Sequence, residues 1–208
     1  MLKKRINQLV ALLGLCFIIG NGCGDQSINS TVCHERLKSS SIYLSEYYAN
    51  KVKDNLIKGL VDVEIAIKCY ETKAAAIEYK IMIIALLEDY KKGYEFLDSL
   101  NTEDFSYSYK RDMGKFYFLA KEYERESDLV NRNQMLEKAI TTIDIYIQNE
   151  AKEHFDEKVY YDLFFLKREI LNKDSILFEL DSLIVRFPED KEFINILKET
   201  FTIPHNFN

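Results

Sequence analysis

Histidine and carboxylate side chains are the residues of this chain whose types could support acid–base or metal chemistry. Its three histidines, His34, His154 and His205, lie far apart in the sequence. In "NEAKEHFDE", His154 follows Glu150 by one helical turn and has carboxylates on either side, which is compatible with a weak divalent-metal site. A solvated turn with a pH-sensitive ion pair explains the same residues, and we favour that interpretation. We therefore predict no metal ligand.

Motifs of the common catalytic mechanisms are missing from the sequence. No GxSxG, GxxxxGK[ST], GxGxxG, HExxH or SxxK pattern occurs in the chain. These absences matter because each mechanism needs its residues at a fixed spacing. An enzyme whose site is assembled from distant positions would escape this test. We predict a non-enzymatic protein with no catalytic residue and no cofactor.

The first 22 residues have the composition of an export signal. A basic start at Lys3, Lys4 and Arg5 precedes an uncharged apolar run, "LVALLGLCFII", which spans residues 9–19. This run suits the hydrophobic region of a signal peptide and is shorter than the ~20 residues that cross a bilayer as a helix. We therefore predict that residues 1–22 are a signal peptide and lie outside the fold.

The junction after the apolar run resembles a bacterial lipobox. In "CFIIGNGCGDQS", the small residue Gly22 precedes Cys23, and the resemblance implies that Cys23 becomes a diacylglyceryl-modified amino terminus carrying fatty acyl chains such as palmitate. Gly20 and Gly22 would also satisfy an ordinary signal peptidase, which would leave Cys23 as a free thiol. Cys16 is a poorer lipid acceptor because bulky Leu15 precedes it. We predict a lipoprotein anchored to a membrane of the bacterial cell envelope, with residues 23–40 as a lipidated, polar tether.

Two other cysteines pose a separate question. If Cys23 is acylated, Cys33 and Cys69 are the only thiols left in the mature chain. Export to an oxidising compartment would permit a disulfide between them, worth on the order of 3–4 kcal/mol. In the alternative, Cys69 packs as a small apolar residue of its helix and Cys33 stays reduced.

Composition and periodicity predict an all-α fold. The chain has seven glycines, and only Gly59, Gly93 and Gly114 follow residue 25, with Pro188 and Pro204 as its two prolines. Sheets and long loops normally need more turn residues than this. Apolar residues recur at the three-and-four spacing of a helix face in several segments. We therefore predict eight or nine antiparallel helices within a helical domain at residues 41–208.

Two segments resemble the second helix of a tetratricopeptide repeat (TPR). "DVEIAIKCYE" and "DYKKGYEFLDSL" place a large residue three positions before a small one, Val63 before Ala66 and Tyr90 before Gly93. The small residue would let a partner helix approach closely. The resemblance implies a short TPR-like α-solenoid of stacked antiparallel hairpins, an architecture whose groove holds other polypeptides.

Charge and aromatic content limit the class of partner. Without its first 22 residues the chain has 25 basic and 34 acidic residues, a net charge of −9, and this argues against nucleic acid. Tyr107 and Tyr109, beside Lys110 and Arg111, are the predicted contacts for a peptide or a partner helix, because a rigid ring with a polar tip binds at little entropic loss.

Three functions fit these observations. The leading hypothesis is a membrane-tethered, non-enzymatic interaction module, an adaptor or an inhibitor, that holds another envelope or exported protein. The second is a lipoprotein that binds a small envelope ligand such as a glycan fragment, which needs a pocket with convergent polar groups. The third is a structural envelope protein that oligomerises.

Overall fold

Residues 29–202 are described in the computed structural model, and they are helical. These residues form nine α-helices joined by short turns, with two 3-10 helices at Thr102–Asp104 and Pro188–Asp190 and no strand in this range. The predicted all-α class is confirmed. In chain order the helices are α1 (Ser30–Asn50), α2 (Lys53–Ala66), α3 (Tyr70–Leu86), α4 (Tyr90–Asp98), α5 (Lys110–Arg125), α6 (Leu129–Glu150), α7 (Glu157–Lys167), α8 (Lys173–Arg186) and α9 (Lys191–Thr202).

Helix α1 begins earlier than the predicted end of the tether at residue 40. The Asn29 side chain accepts a hydrogen bond from the Thr31 amide at 3.0 Å and caps the helix at Ser30. Cys33 and Leu37 begin the row of buried side chains along this helix. Residues 30–40 are therefore the first turns of an amphipathic helix and not part of a tether, although most of them are polar. The signal peptide and the lipidation site lie outside the described residues.

A second boundary also differs from the sequence prediction. The short polar segment "LVNRNQ" predicts a helix break by its composition, yet it forms the first turns of α6. The break falls just before it, because the Asp128 side chain accepts a hydrogen bond from the Asn131 amide at 3.0 Å and starts the helix there.

The chain divides into two compact units, of which the first ends at Leu87. In this unit α1 and α2 run antiparallel, joined near one end by the Arg36–Asp62 ion pair at 2.9 Å. Helices α1 and α3 run parallel, because their first turns meet at the bridge between Cys33 and Cys69 and Leu44 shares a core cluster with Ile83 further along. The unit is therefore a three-helix array in which α2 is the antiparallel return.

Buried polar residues are concentrated in this first unit. The fully or nearly buried polar side chains of the described residues are Ser40, Asn55, Asp62 and Thr72, and all belong to α1–α3. Among residues 29–87, the apolar core of this unit includes two small clusters of buried side chains. Such a core supplies limited hydrophobic stabilisation.

The second unit, from Glu88 onward, holds α4–α9, and residues of α5–α9 form a large core cluster within it. Helix α4 packs antiparallel on α5, with Gly93 against Phe118 and Leu97 against Gly114. A Cβ atom on Gly93 would lie 2.5 Å from the Phe118 ring, so only glycine permits this approach. The close approach expected at Gly93 is present.

Helices α5, α7 and α9 run parallel within the second unit. Tyr109 and Lys121, near opposite ends of α5, contact Asp162 and Glu169 of the α7 region in the same order. Rings at Phe155 and Tyr161 meet Phe193 and Phe201 of α9, again in the same order along both helices. Helices α6 and α8 are the returns between them.

The two TPR-like segments occupy different places in their helices. Asp62 and Ala66 lie at the end of α2, whereas Asp89 caps the start of α4. The two segments are therefore not equivalent positions of a structural repeat. The offset between successive parallel helices is 36 residues at the Cys33–Cys69 bridge and 48 residues at the Lys121–Glu169 contact.

Every helix within residues 29–202 is too short or too polar to span a lipid bilayer.

Candidate functional site

The four residues predicted to contact a partner lie at or just before the start of α5. They differ in how far their side chains are exposed to solvent. Tyr109 caps the helix and is only 3% exposed, so its ring packs inside the second unit and presents no surface to a partner. The Tyr109 hydroxyl donates a hydrogen bond to Asp162 Oδ2 at 2.7 Å. Lys110 Nζ pairs with the same carboxylate oxygen at 2.6 Å, and Arg111 Nε donates to the Leu97 carbonyl at 3.4 Å.

Tyr107 lies at the edge of the same cluster and is half-buried. Its ring centroid is 5.6 Å from that of Tyr109 and 5.9 Å from that of Tyr146, and its hydroxyl donates to Asp156 Oδ1 at 3.4 Å. Asp156 also caps α7 by accepting from the Lys158 amide at 3.0 Å. The three tyrosines thus join α5, α6 and α7, and Tyr107 is the tyrosine of the predicted pair that a partner could reach.

The electrostatics of this cluster favour a structural hydrogen bond over acid–base chemistry. Burial, followed by the nearby Asp162 carboxylate, raises the pKa of Tyr109 far above its ordinary value. The phenol therefore stays protonated and donates to Asp162 at every physiological pH. A tyrosine acting as a base needs the opposite shift.

An aromatic and cationic surface runs beside this cluster across three parallel helices. We define the α5/α7/α9 face by the half-buried Tyr117, Tyr161, Phe165 and Arg168, together with the buried Phe201 ring of α9, which Tyr161 and Arg168 contact. Arg168 Cζ lies 4.8 Å from the Phe165 ring centroid and 5.5 Å from that of Phe201. The Tyr117–Phe165 and Tyr161–Phe201 ring centroids are 5.7 and 5.3 Å apart. The guanidinium is thereby held over two rings, an attractive cation–π geometry.

A network of charged side chains, formed by Lys121, Arg132 and Glu169, lies beside the α5/α7/α9 face. Lys121 Nζ and Arg132 Nη2 lie 3.1 and 2.9 Å from Glu169 Oε2. Arg132 Nη1 also donates to the Glu169 carbonyl at 3.0 Å. Burial raises the pKa of Tyr117, which borders this network, to about 12, so its hydroxyl is neutral. Sequence reasoning missed Arg132 and Glu169, because their partners are distant in the chain and share no motif.

The suggested metal site at His154 has no structural counterpart among the described residues. His154 is exposed in the turn before α7, and Glu150 accepts a hydrogen bond from the Ser108 hydroxyl at 3.1 Å. Residues 29–202 hold no group of three or more histidine, cysteine, aspartate or glutamate side chains that could bind a metal ion. His205 lies outside this range.

The cysteine pair has the geometry of a bridge. The sulfur atoms of Cys33 and Cys69 form a disulfide, with a Cα–Cα distance of 6.2 Å. Both residues are buried, and they join the first turn of α1 to the turn between α2 and α3. Formation of this bond in the protein produced by cells is a prediction for chemical analysis.

Comparison with known proteins gives no family for this chain. No family model matches it, and no curated protein or solved structure matches it either. Its function is therefore argued from its own residues.

Proposed function

We propose that this chain is a membrane-tethered, non-enzymatic protein-interaction module of the bacterial cell envelope, lipidated at Cys23. Its body is a short TPR-like α-solenoid that holds another envelope or exported protein. The acidic mature chain, at a net charge of −9, favours a protein partner over nucleic acid.

The helix arrangement inside each unit supports the solenoid. In the first unit α1 and α3 are parallel and α2 returns between them, and in the second unit α5, α7 and α9 are parallel with α6 and α8 as returns. Helical repeat proteins stack such pairs so that equivalent helices line one surface. Successive parallel helices are offset by 36 and 48 residues at these two contacts, so the proposed solenoid has units of unequal length.

The α5/α7/α9 face is the main support for a role in protein binding. Tyr161 and Phe165 of α7 and Arg168, the residue at its carboxyl-terminal cap, follow one another at helical spacing, and all three are half-buried. Tyrosine and arginine are the residue types that contribute most to protein interfaces. Their packing against neighbouring rings fixes their conformations before binding, which reduces the entropy lost with a partner.

A photo-crosslinking experiment tests this role. We would replace Tyr161 with a photoreactive phenylalanine derivative, irradiate native membranes and identify the adduct. The matched control carries the same group at Ile57 of α2, which is 53% exposed and lies outside the face. We expect one polypeptide adduct at position 161 and none at position 57.

Other outcomes would contradict the proposal. An adduct between two copies of this chain would favour the oligomeric structural role instead. No polypeptide adduct at position 161, in a protein that is present in the membrane fraction, would refute an interaction surface on this face and leave the small-ligand alternative.

A further inference from the structure

The most exposed large side chain at the start of α3 is that of Tyr70, which is 92% exposed. Lys68 and Glu71 flank it and are also exposed, so the charges beside the ring offset one another. An isolated exposed aromatic ring is ordinary on a protein surface. Its position relative to the membrane anchor makes this ring informative.

The disulfide fixes Tyr70 at the end of the first unit where the amino-terminal segment joins the helices. Tyr70 follows Cys69, and Cys69 is bonded to Cys33 in the first turn of α1, with their Cα atoms 6.2 Å apart. Tyr70 and Ser30, the first residue of α1, therefore lie at the same end of the array.

The length of chain before α1 limits how far this end can lie from a lipid anchor. Residues 24–29 separate Cys23 from Ser30. Seven Cα–Cα steps of a fully extended chain span at most about 25 Å, and any less extended conformation spans less. An acylated Cys23 therefore keeps the Tyr70 end of the first unit close to the bilayer surface.

We propose that Tyr70 contacts the lipid headgroup layer and sets the orientation of the first unit on the membrane. The inference rests on the proposed lipidation of Cys23. A tyrosine ring is apolar along its body and polar at its tip, which suits the headgroup region. Because the anchor supplies a high local concentration, a contact too weak to bind the protein alone is still occupied.

The opposite end of α1 provides a matched control position. Tyr48 is 40% exposed and lies near the carboxyl end of α1, whose 21 residues make a helix about 30 Å long. If the Tyr70 end faces the membrane, position 48 lies most of the length of α1 further from it. Offset charges beside Tyr70 mean that anionic lipid is not required.

The chain contains no tryptophan, so a single introduced indole reports on one position. We would prepare full-length lipidated Tyr70→Trp and Tyr48→Trp, verify the acyl mass of each, and reconstitute them in neutral phosphatidylcholine vesicles with brominated acyl chains. We expect a blue shift and about a twofold loss of emission at position 70, since an indole at the interface lies near the quencher, and no change at position 48. Tyr70 is almost fully exposed, and Tyr48→Trp keeps an aromatic ring beside Tyr47 and Lys51, so neither substitution should disturb the core.

Failure of this inference is distinguishable from failure of the proposed anchoring. If the acyl mass is present and the indole at position 70 is unquenched, or if both positions are quenched equally, the Tyr70 contact is refuted and the anchor stands. If the mature protein carries no acyl mass at Cys23, the proposed anchoring is refuted, and the Tyr70 contact falls with it.

Discussion

Removal of the Cys33–Cys69 bridge should destabilise the first unit and leave the second unit folded. The two residues are 36 positions apart, and a closed loop of that length restricts the unfolded chain by about 4 kcal/mol in the chain-entropy model. A typical domain is stable by only about 5–15 kcal/mol in total. The bridge is therefore a large part of the stability of a small unit.

The structure of the first unit strengthens this expectation. Among residues 29–87, its core includes two small apolar clusters, and its buried side chains also include the polar Ser40 and Asp62. A folded unit of about 60 residues buries a smaller fraction of its surface than a larger domain does. The second unit has a larger core cluster across α5–α9 and contains no cysteine, so reductant should not affect it.

Urea unfolding with and without dithiothreitol measures the effect, and hydrogen exchange assigns it to a unit. We expect reductant to lower the free energy of unfolding of α1–α3 by about 4 kcal/mol and to remove amide protection there, while α5–α7 stay protected. Cys33→Ala combined with Cys69→Ala should reproduce the reduced protein without reductant. Cys23→Ser is the matched control, because it changes a cysteine and leaves the pair intact.

Two results would refute this reasoning. Equal unfolding midpoints with and without reductant would show that the bridge does not stabilise the unit. A mature protein whose mass corresponds to two free thiols at Cys33 and Cys69 would show that the bond does not form after export.

Three further predictions concern single side chains. Ser40→Ala should raise the free energy of unfolding by about 1 kcal/mol in a urea titration, because the fully buried Ser40 hydroxyl has no hydrogen-bond partner among residues 29–202. Gly93→Ala should lower it by about 1–3 kcal/mol, since the new Cβ atom would lie 2.5 Å from Phe118. Hydrogen bonds from the Asn131 backbone and side chain lower the pKa of Asp128, so its contribution to stability is present at neutral pH and is lost as the pH falls through that lowered pKa.

A matched variant for each substitution tests whether its effect on stability has the stated cause or is a general result of changing that residue. Ser40→Thr keeps the hydroxyl and adds a methyl group, so it should destabilise; a stabilising Thr would contradict the argument. Gly59→Ala should cost less than Gly93→Ala, because its nearest neighbour is the tip of Ile83 at 3.2 Å. Asp128→Asn keeps a capping oxygen that does not titrate, so its stability should fall less on acidification, and parallel pH curves would refute the role of the charge.

Helix content was predictable from the sequence, because few turn residues and a three-and-four apolar spacing leave little alternative. The close approach at Gly93 was also predictable, since a small residue on a helix face implies a near neighbour. The start of α1 was not, because Cys33 and Leu37 mark a buried face only once α2 and α3 pack against it.

The interior position of Tyr109 was hidden for a related reason. Its hydrogen-bond partner, Asp162, is 53 residues away, and nothing near Tyr109 distinguishes a ring that packs inward from one that faces solvent. The α5/α7/α9 face was hidden from the sequence in the same way, because its residues are far apart in the chain. Tyr117, Phe165 and Phe201 come together only because three helices run parallel.

Quantitative capture from native membranes, comparing the wild type with Cys23→Ser, tests the central claim most directly. We predict that one polypeptide partner is recovered with the wild-type protein near one-to-one stoichiometry, and that recovery falls sharply when the protein is released from the membrane. If no partner is enriched with either form, this chain is not a tethered interaction module.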